Sequence, residues 1–309
     1  MTKGKVAVFG ASSRPGQGQV RQLRAAGYDV RPITRQTSAD EMFKGLDVVP
    51  ADYRDFDSLC RACEGADGVF ITLSGLTDVS AELDYIHDVG RAAAKVGVGR
   101  VVNNTTTWHP DDEPCGAPTL DHAMRRSNAL RQSGAAYTII RPQIFMDNLL
   151  TRFAKPFILA GDFSYPHKPD MKAAWNCLDD VGKFMIAALE RPEMENVTID
   201  VAGPERLGPA DVAERLSEVV GRKVTYTYIT PRAFAERMYK IFPQTGMSRD
   251  EFIDYLEIHY IYKNKHDTFD VDIAPILERL PIQPTTMREW LRQQDWTPEG
   301  ASLVGSASG

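Results

Sequence analysis

No apolar run in this chain approaches the roughly twenty residues that a membrane helix needs, so no helical span is expected. Cysteine is scarce. Its four residues, Cys60, Cys63, Cys115 and Cys177, are too few for a disulfide scaffold in 309 residues and suit a reducing compartment. Cys60 and Cys63 have C-x-x-C spacing but lie in a helical pattern, DFDSLCRACEGAD, with no second ligand pair nearby. Two thiols on a helix face are expected there, and no zinc or redox site. An excess of positive charge is also missing: 36 basic against 42 acidic residues leave a net charge of −6, which gives a nucleic-acid role no support. Metal-ligand spacing, a nucleophile elbow and a Ser/His/Asp arrangement are all absent. A strand pattern begins so near Met1 that no signal peptide fits, and a cytoplasmic protein is the expectation. What remains is an ordinary globular composition, 43% hydrophobic and 25% charged. The chain is long enough for one large core, or for a nucleotide domain with a smaller partner.

The stretch VAVFGASSRPGQG, residues 6–18, carries the first positive signal. An apolar strand breaks into glycine and serine and is followed by an amphipathic helix. That order suits a dinucleotide's pyrophosphate, which needs a tight turn, close backbone approach and the free N–H groups of a helix start. Gly10 and Gly16 take the first and third places of a G-x-x-G-x-x-G pattern, and Ser13 takes the middle one. Ser12, Arg14 and Pro15 complete the turn. A second strand, residues 28–33, ends in Thr34-Arg35-Gln36. Selectivity for NAD usually places an acid here, whereas a 2′-phosphate calls for arginine. Arg35 occupies that place, and Arg14 is expected to close on the same phosphate. Charge-assisted hydrogen bonds of about 1.5–3 kcal/mol each would favour NADP(H) by about a hundredfold or more. Further strands are expected at 46–50, 68–72 and 100–103, with helices at 55–63 and 81–96 between them. This is the alternation of a parallel, doubly wound α/β (Rossmann) sheet. Ligands in such sheets sit beyond the carboxyl ends of the strands, so Gly10–Gly16, Thr34–Arg35, Ser74–Gly75 and Thr105–Trp108 would share one rim, with Thr72 and Leu73 also set against the cofactor.

Several segments resemble the NmrA-like group of atypical short-chain dehydrogenase/reductases, relatives of the isoflavone reductase-like enzymes. They are VRPITR, PADYRD, AAAKVGVGRVV and YTIIRPQIFMDNLL. The resemblance covers roughly the first 205 residues well and is strongest at Arg141-Pro142 with Phe145-Met146-Asp147-Asn148. It implies that Pro142 and Phe145 lie beside a nicotinamide, that Arg35 binds the 2′-phosphate, and that Asp52 and Tyr53 border the adenine. It also implies that WNCLDDV, with Asp180, returns the chain to the sheet and that residues 196–203 add a strand. Two departures stand out. Ser12-Ser13 replaces the usual Thr-Gly of the turn, and Ala123 occupies the place where the group's aromatic reductases carry a lysine. No Tyr-x-x-x-Lys dyad replaces it.

Reduction of a carbonyl or conjugated ring needs a donor for the developing oxyanion. The chain offers His122 beside the vacated place, Thr105 and Thr106 at a strand exit, and His109 in the following loop. Plain alternatives are a surface histidine and simple strand propensity. In the second half, residues 156–172 read as a loop. Helices open at Pro209, Pro231, Ser248 and Thr286, and 224–229 is a strand. Lys263-Asn264-Lys265-His266 reads as a solvated turn after a helix ending near residue 262. The resulting expectation is an NADP-binding domain over 1–155, completed by 175–203. A smaller, mostly helical substrate lid would cover 156–298, and 299–309 would form a disordered tail. The function expected is NADPH-dependent hydride transfer to a carbonyl, quinone or conjugated aromatic small molecule, with a homodimer compatible and neither nucleic acid nor membrane as partner. A non-catalytic NADP(H) sensor and a cofactor-retaining isomerase or lyase are the alternatives.

Overall fold

The first strand is buried on both faces because its apolar run does not alternate. Val6 and Val8 point to one side, and Ala7 and Phe9 to the other. The computed structural model describes residues 3–35, 41–73, 79–243 and 246–298. The chain runs β1 (Lys5–Phe9), α1 (Arg14–Ala25), β2 (Asp29–Thr34), β3 (Val49–Pro50), α2 (Phe56–Cys63) and β4 (Gly68–Ile71). It continues with α3 (Val79–Lys95), β5 (Arg100–Asn104), α4 (Pro118–Arg131) and β6 (Tyr137–Pro142). With β10 (Val197–Val201) these strands form one seven-stranded parallel sheet in the order β10-β6-β5-β4-β1-β2-β3. The order reverses between β1 and β4, and that switch point opens a crevice at the carboxyl ends. The doubly wound α/β expectation is met.

The remaining elements are β7 (Ile144–Phe145), α5 (Lys155–Leu159), β8 (Asp162–Tyr165), β9 (Ala173–Asn176), α6 (Leu178–Leu189) and β11 (Arg206–Leu207). After them come α7 (Pro209–Val220), β12 (Thr225–Tyr228), α8 (Pro231–Ile241), α9 (Arg249–His266), α10 (Ala274–Arg279) and α11 (Met287–Arg292). Two cores flank the large sheet. Val20, Leu23 and Phe184 of α1 and α6 fill one face, and Leu59, Val89 and Ala93 of α2 and α3 fill the other. A third core, built around Phe153, Tyr165, Trp175, Phe234 and Trp290, binds the C-terminal helices to two small sheets. Ile276 and Leu280, from α10 and its end, return to the first core, so residues 156–298 are shared between the two bodies.

Three local expectations need correction. Strand β3 spans two residues where five were expected: it is an edge, and Pro50 has no N–H to extend a ladder. Residues 156–172 are not all loop, because β8 finds a parallel partner in β12 and buries Phe163 and Tyr165. Helix α9 continues through the basic run to His266, where Asp267 in a left-handed conformation stops it. Lys263 is therefore fully buried in a helix and not in a solvated turn. Among the described residues no helix is long and apolar enough to cross a membrane.

Arg100, at the start of β5, is buried and donates from Nη1 to the carbonyls of Ala188 (2.8 Å) and Arg191 (2.7 Å) at the end of α6. Arg100→Met strands those carbonyls. It is expected to lower the unfolding free energy by about 2 kcal/mol in a urea titration, with a native circular dichroism spectrum retained.

Candidate active site

Every strand of the large sheet delivers its exit loop to one rim. The Gly10 turn is the tightest of them. Gly10 has φ +75, and a Cβ there would lie 2.5 Å from the Thr72 carbonyl oxygen. At Gly16 a Cβ would lie 2.1 Å from the Gly10 carbonyl oxygen, so the first turn of α1 rests directly on the backbone leaving β1. Ser13 has φ −71, a conformation that needs no glycine. Its Oγ donates to the Gly10 carbonyl (2.7 Å) and accepts from the Gly16 N–H (3.2 Å), which makes it the N-cap of α1. Ser12 is exposed, and Pro15 occupies a first-turn position where its missing N–H costs nothing.

Arg14 does not point where expected. Its Nη2 donates to the Asp147 carbonyl (2.7 Å), and burial lowers the guanidinium's pKa while the Asp147 charge opposes that shift. Asp147 in turn accepts from the Leu178 N–H (3.0 Å), with burial raising its carboxyl pKa. One arginine thus pins the 145–148 segment to the glycine turn. Arg35 is exposed at the end of β2 and has no hydrogen-bond partner or ion pair among the described residues. Asp52 is exposed, its Oδ1 accepting from the Arg54 N–H (2.9 Å). Tyr53 lies with its ring 6.0 Å from Phe9 and 5.0 Å from Tyr85, and burial raises its hydroxyl's pKa. Pro142 ends β6 opposite Val201, and half-buried Phe145 pairs with Asn176. Thr72 is buried, its Oγ1 accepting from Gln19 Nε2 (2.6 Å). Leu73 accepts at its carbonyl from Arg126 Nη1 (2.8 Å), and Ser74 lies outside the described residues.

The groups expected to carry the chemistry are engaged. Thr106 sits at φ +63, a strained exit stabilised by its N–H donating to Asn104 Oδ1 (2.9 Å). That kink turns both hydroxyls onto the backbone. Thr105 donates to the carbonyls of Thr107 (2.7 Å) and Ile140 (3.1 Å), and Thr106 to that of Thr105 (2.6 Å). His109 is fully buried. Its Nδ1–H donates to the Pro110 carbonyl (2.7 Å), its Nε2 accepts from Ser127 (2.8 Å), and burial pushes its pKa down to about 4. His122 is no surface residue either. Its Nε2 is 3.2 Å from Glu82 Oε2, which also accepts from Arg126 Nη1 (3.1 Å). The triplet locks α3 to α4. Arg141 does similar work for the next loop, donating to Asp200 (2.7 Å), Asp111 (2.6 Å) and the His109 carbonyl (2.8 Å).

This architecture is shared with known proteins. The profile of the NmrA-like family matches residues 2–291. The chain belongs to the NmrA-like family. An NAD(P)H azoreductase of Xenophilus azovorans is 28% identical over 248 residues, covering 80% of this chain and 82% of that protein. Two solved structures share the fold. The triphenylmethane reductase of Citrobacter sp. superposes with a TM-score of 0.74 at 18% identity, covering 94% of this chain and 98% of that one. The NADPH-dependent quinone oxidoreductase of Escherichia coli does so with 0.72 at 21% identity, covering 93% and 98%.

One feature of this NmrA-like chain has no signal in sequence spacing. Lys263 of α9 is fully buried, and its Nζ has no hydrogen-bond partner among the described residues. It lies 5.4 Å from the Trp108 ring centre and 4.5 Å from that of Phe269. Burial pulls its pKa from 10.5 to about 7. The folded protein thus binds fewer protons than the unfolded chain between those values, so the penalty on the charged amine is complete below about pH 7 and fades as pH rises to about 10.5. Lys263→Met should therefore melt above the wild type in weak acid, and the gap should close across that window. For the helix cap, Ser13→Ala should cost about 1 kcal/mol in chemical denaturation, and Ser13→Gly only a few tenths.

Proposed function

We propose that this chain is an NADPH-dependent reductase whose acceptors are small, flat, conjugated molecules of azo, quinone or carbonyl type. Arg35 carries the reading: a cation at the end of β2, exposed and without a hydrogen-bond or ion-pair partner among the described residues, stands where a 2′-phosphate would lie and where an NAD site would hold an acid. The glycine turn supports a pyrophosphate site independently: a side chain on Gly10 or Gly16 would strike the Thr72 or Gly10 carbonyl, so the two glycines seat the first turn of α1, with its free N–H groups, at the end of β1. The 28% identity to an azoreductase over 80% of this chain supports the same class of chemistry.

Bound at this rim, NADPH supplies a hydride from C4 of its nicotinamide. The residues then take separate tasks. The first turn of α1 meets the pyrophosphate, and Arg35 the 2′-phosphate. Asp52 and the Tyr53 ring border the adenine, while Pro142 and Phe145 flank the nicotinamide. Arg14 holds that last segment in place through the Asp147 carbonyl. Residues 1–155 with 175–203 bind the nucleotide, and the third core, with its helices, covers the acceptor.

A second reading, a non-catalytic NADP(H) sensor, is favoured by one observation: Thr105, Thr106, His109 and His122 are all bonded within the protein. Oxidation of NADPH over a panel of azo dyes, quinones and aryl ketones separates the two. Turnover on at least one acceptor is expected, and tight NADPH binding with no turnover on any would leave the sensor. For cofactor choice, Arg35→Asp should weaken NADPH by about a hundredfold in a calorimetric titration and leave NADH almost unchanged. Equal losses for both would remove Arg35 from the site.

A further inference from the structure

Two-electron reduction of a quinone, azo or carbonyl acceptor consumes a hydride and a proton, and a positioned acid speeds such steps by about 10²–10⁴-fold. Thr105, Thr106 and His109 do not offer that proton, because their O–H and N–H bonds already point at protein acceptors, while His122 keeps its Nε2 on Glu82 and its buried Nδ1 has no partner among the described residues. Above the same strand ends lies a buried donor that points at none, Lys263 Nζ. The Trp108 ring that covers it belongs to the loop leaving β5, is half-buried, and stacks on Tyr262 at 6.3 Å. Helix α9 brings the amine there as the last of a row, Tyr255, His259 and Lys263, spaced four residues apart on one face. Tyr255 lies in the field of Arg126 and Glu82, and His259 Nδ1 is 2.7 Å from Thr119 Oγ1 of α4. The row therefore runs along α4 and ends over the β5 exit loop.

The charged and titratable groups around the amine come from several elements. Asp200 of β10 and Cys115 favour its charged form, and Arg141 of β6 opposes it. His167 and His259 are held neutral, each pushed down to about 3 by burial. The buried Tyr165 hydroxyl is pushed up to about 12. An acid works best when its pKa lies near the working pH, a condition that Lys263 meets at about 7 and His167, His259 and Tyr165 do not.

Resting on the reductase reading, we propose that Lys263 is the catalytic acid: with the Trp108 indole displaced by an acceptor, its ammonium hydrogen-bonds the acceptor's oxygen or nitrogen and protonates it. Electrons and atoms balance. The C4–H bond of bound NADPH breaks with its electron pair, which forms a new bond to hydrogen at one end of the acceptor. The Lys263 N–H bond breaks, and its proton joins the other end. The nicotinamide leaves oxidised, and the neutral amine regains a proton from water.

The test uses two acceptors that differ in their need for that proton. A quinone takes hydride and proton, whereas a cationic triphenylmethane dye takes hydride on carbon and needs no proton. Lys263→Met should lose about a hundredfold in quinone turnover and stay within about threefold on the dye. Its NADPH affinity, measured by fluorescence, should be unchanged. In the wild type the quinone rate should fall above about pH 7 while the dye rate does not. NMR of protein labelled at the lysine ε-carbon should show one resonance titrating near pH 7, absent from Lys263→Met. Equal effects on both acceptors, no effect on either, or a Lys263 resonance titrating near 10.5 overturns the assignment alone. A wild type that oxidises NADPH with neither acceptor overturns the reductase reading and this assignment with it. Should Lys263→Met fail to fold, the wild-type pH profiles decide: divergence supports the acid, and parallel profiles overturn it.

Discussion

The contact of Gly16 with the carbonyl of Gly10 is the constraint on which the site depends. It seats α1 on the end of β1 at the sheet's switch point, where strand order reverses and the crevice opens. A methyl group at Gly16 would force the helix off the strand, and the N–H groups of its first turn would leave the rim. Ser13 completes the arrangement from the other side by binding both the Gly10 carbonyl and the Gly16 N–H. The serine in the pattern's middle place therefore substitutes a cap for the closer approach that a glycine would allow.

Arginines then fix the loops around that contact. Arg14 ties the 145–148 segment to α1, Arg126 ties Leu73 and Glu82 to α4, and Arg141 ties the loop after β5 to β10. Each works through planar N–H donors aimed at carbonyls or carboxylates, largely shielded from water, where such bonds are strongest. Arg35, at the end of β2, is by contrast exposed and has no hydrogen-bond or ion-pair partner among the described residues. The contrast between arginines spent on structure and one left uncommitted gives the nucleotide reading its force.

Much of this was legible in the amino-acid sequence, for physical reasons that differ by element. The strands β1, β2, β4 and β5 announce themselves as short apolar runs between turn residues, and α7, α8 and α11 by their capping signals. The glycine turn and Arg35 are local features, so spacing suffices to find them. What spacing misses is which partner a polar side chain meets across the fold. Arg14 meets Asp147, His122 meets Glu82, and Thr105 meets Ile140 through contacts between residues far apart in the chain. The burial of Lys263 escapes the sequence for the same reason. A basic tetrapeptide after an aromatic helix looks solvated until Trp108, from a distant loop, and Phe269, just past the helix, close over its last turn.

Burial of that lysine costs stability, and a buried charge without a partner persists in a fold when something else uses it. The glycine turn after β1 and the Trp108 loop after β5, which covers the amine, both leave carboxyl ends of the one parallel sheet. A crystal structure with NADP+ bound tests the account most directly. It predicts the pyrophosphate on the Gly10–Gly16 turn, the 2′-phosphate against Arg35, and C4 of the nicotinamide facing the Trp108 loop beneath Lys263. A nucleotide seated away from that turn, or a ring whose C4 faces away from the loop, would contradict it.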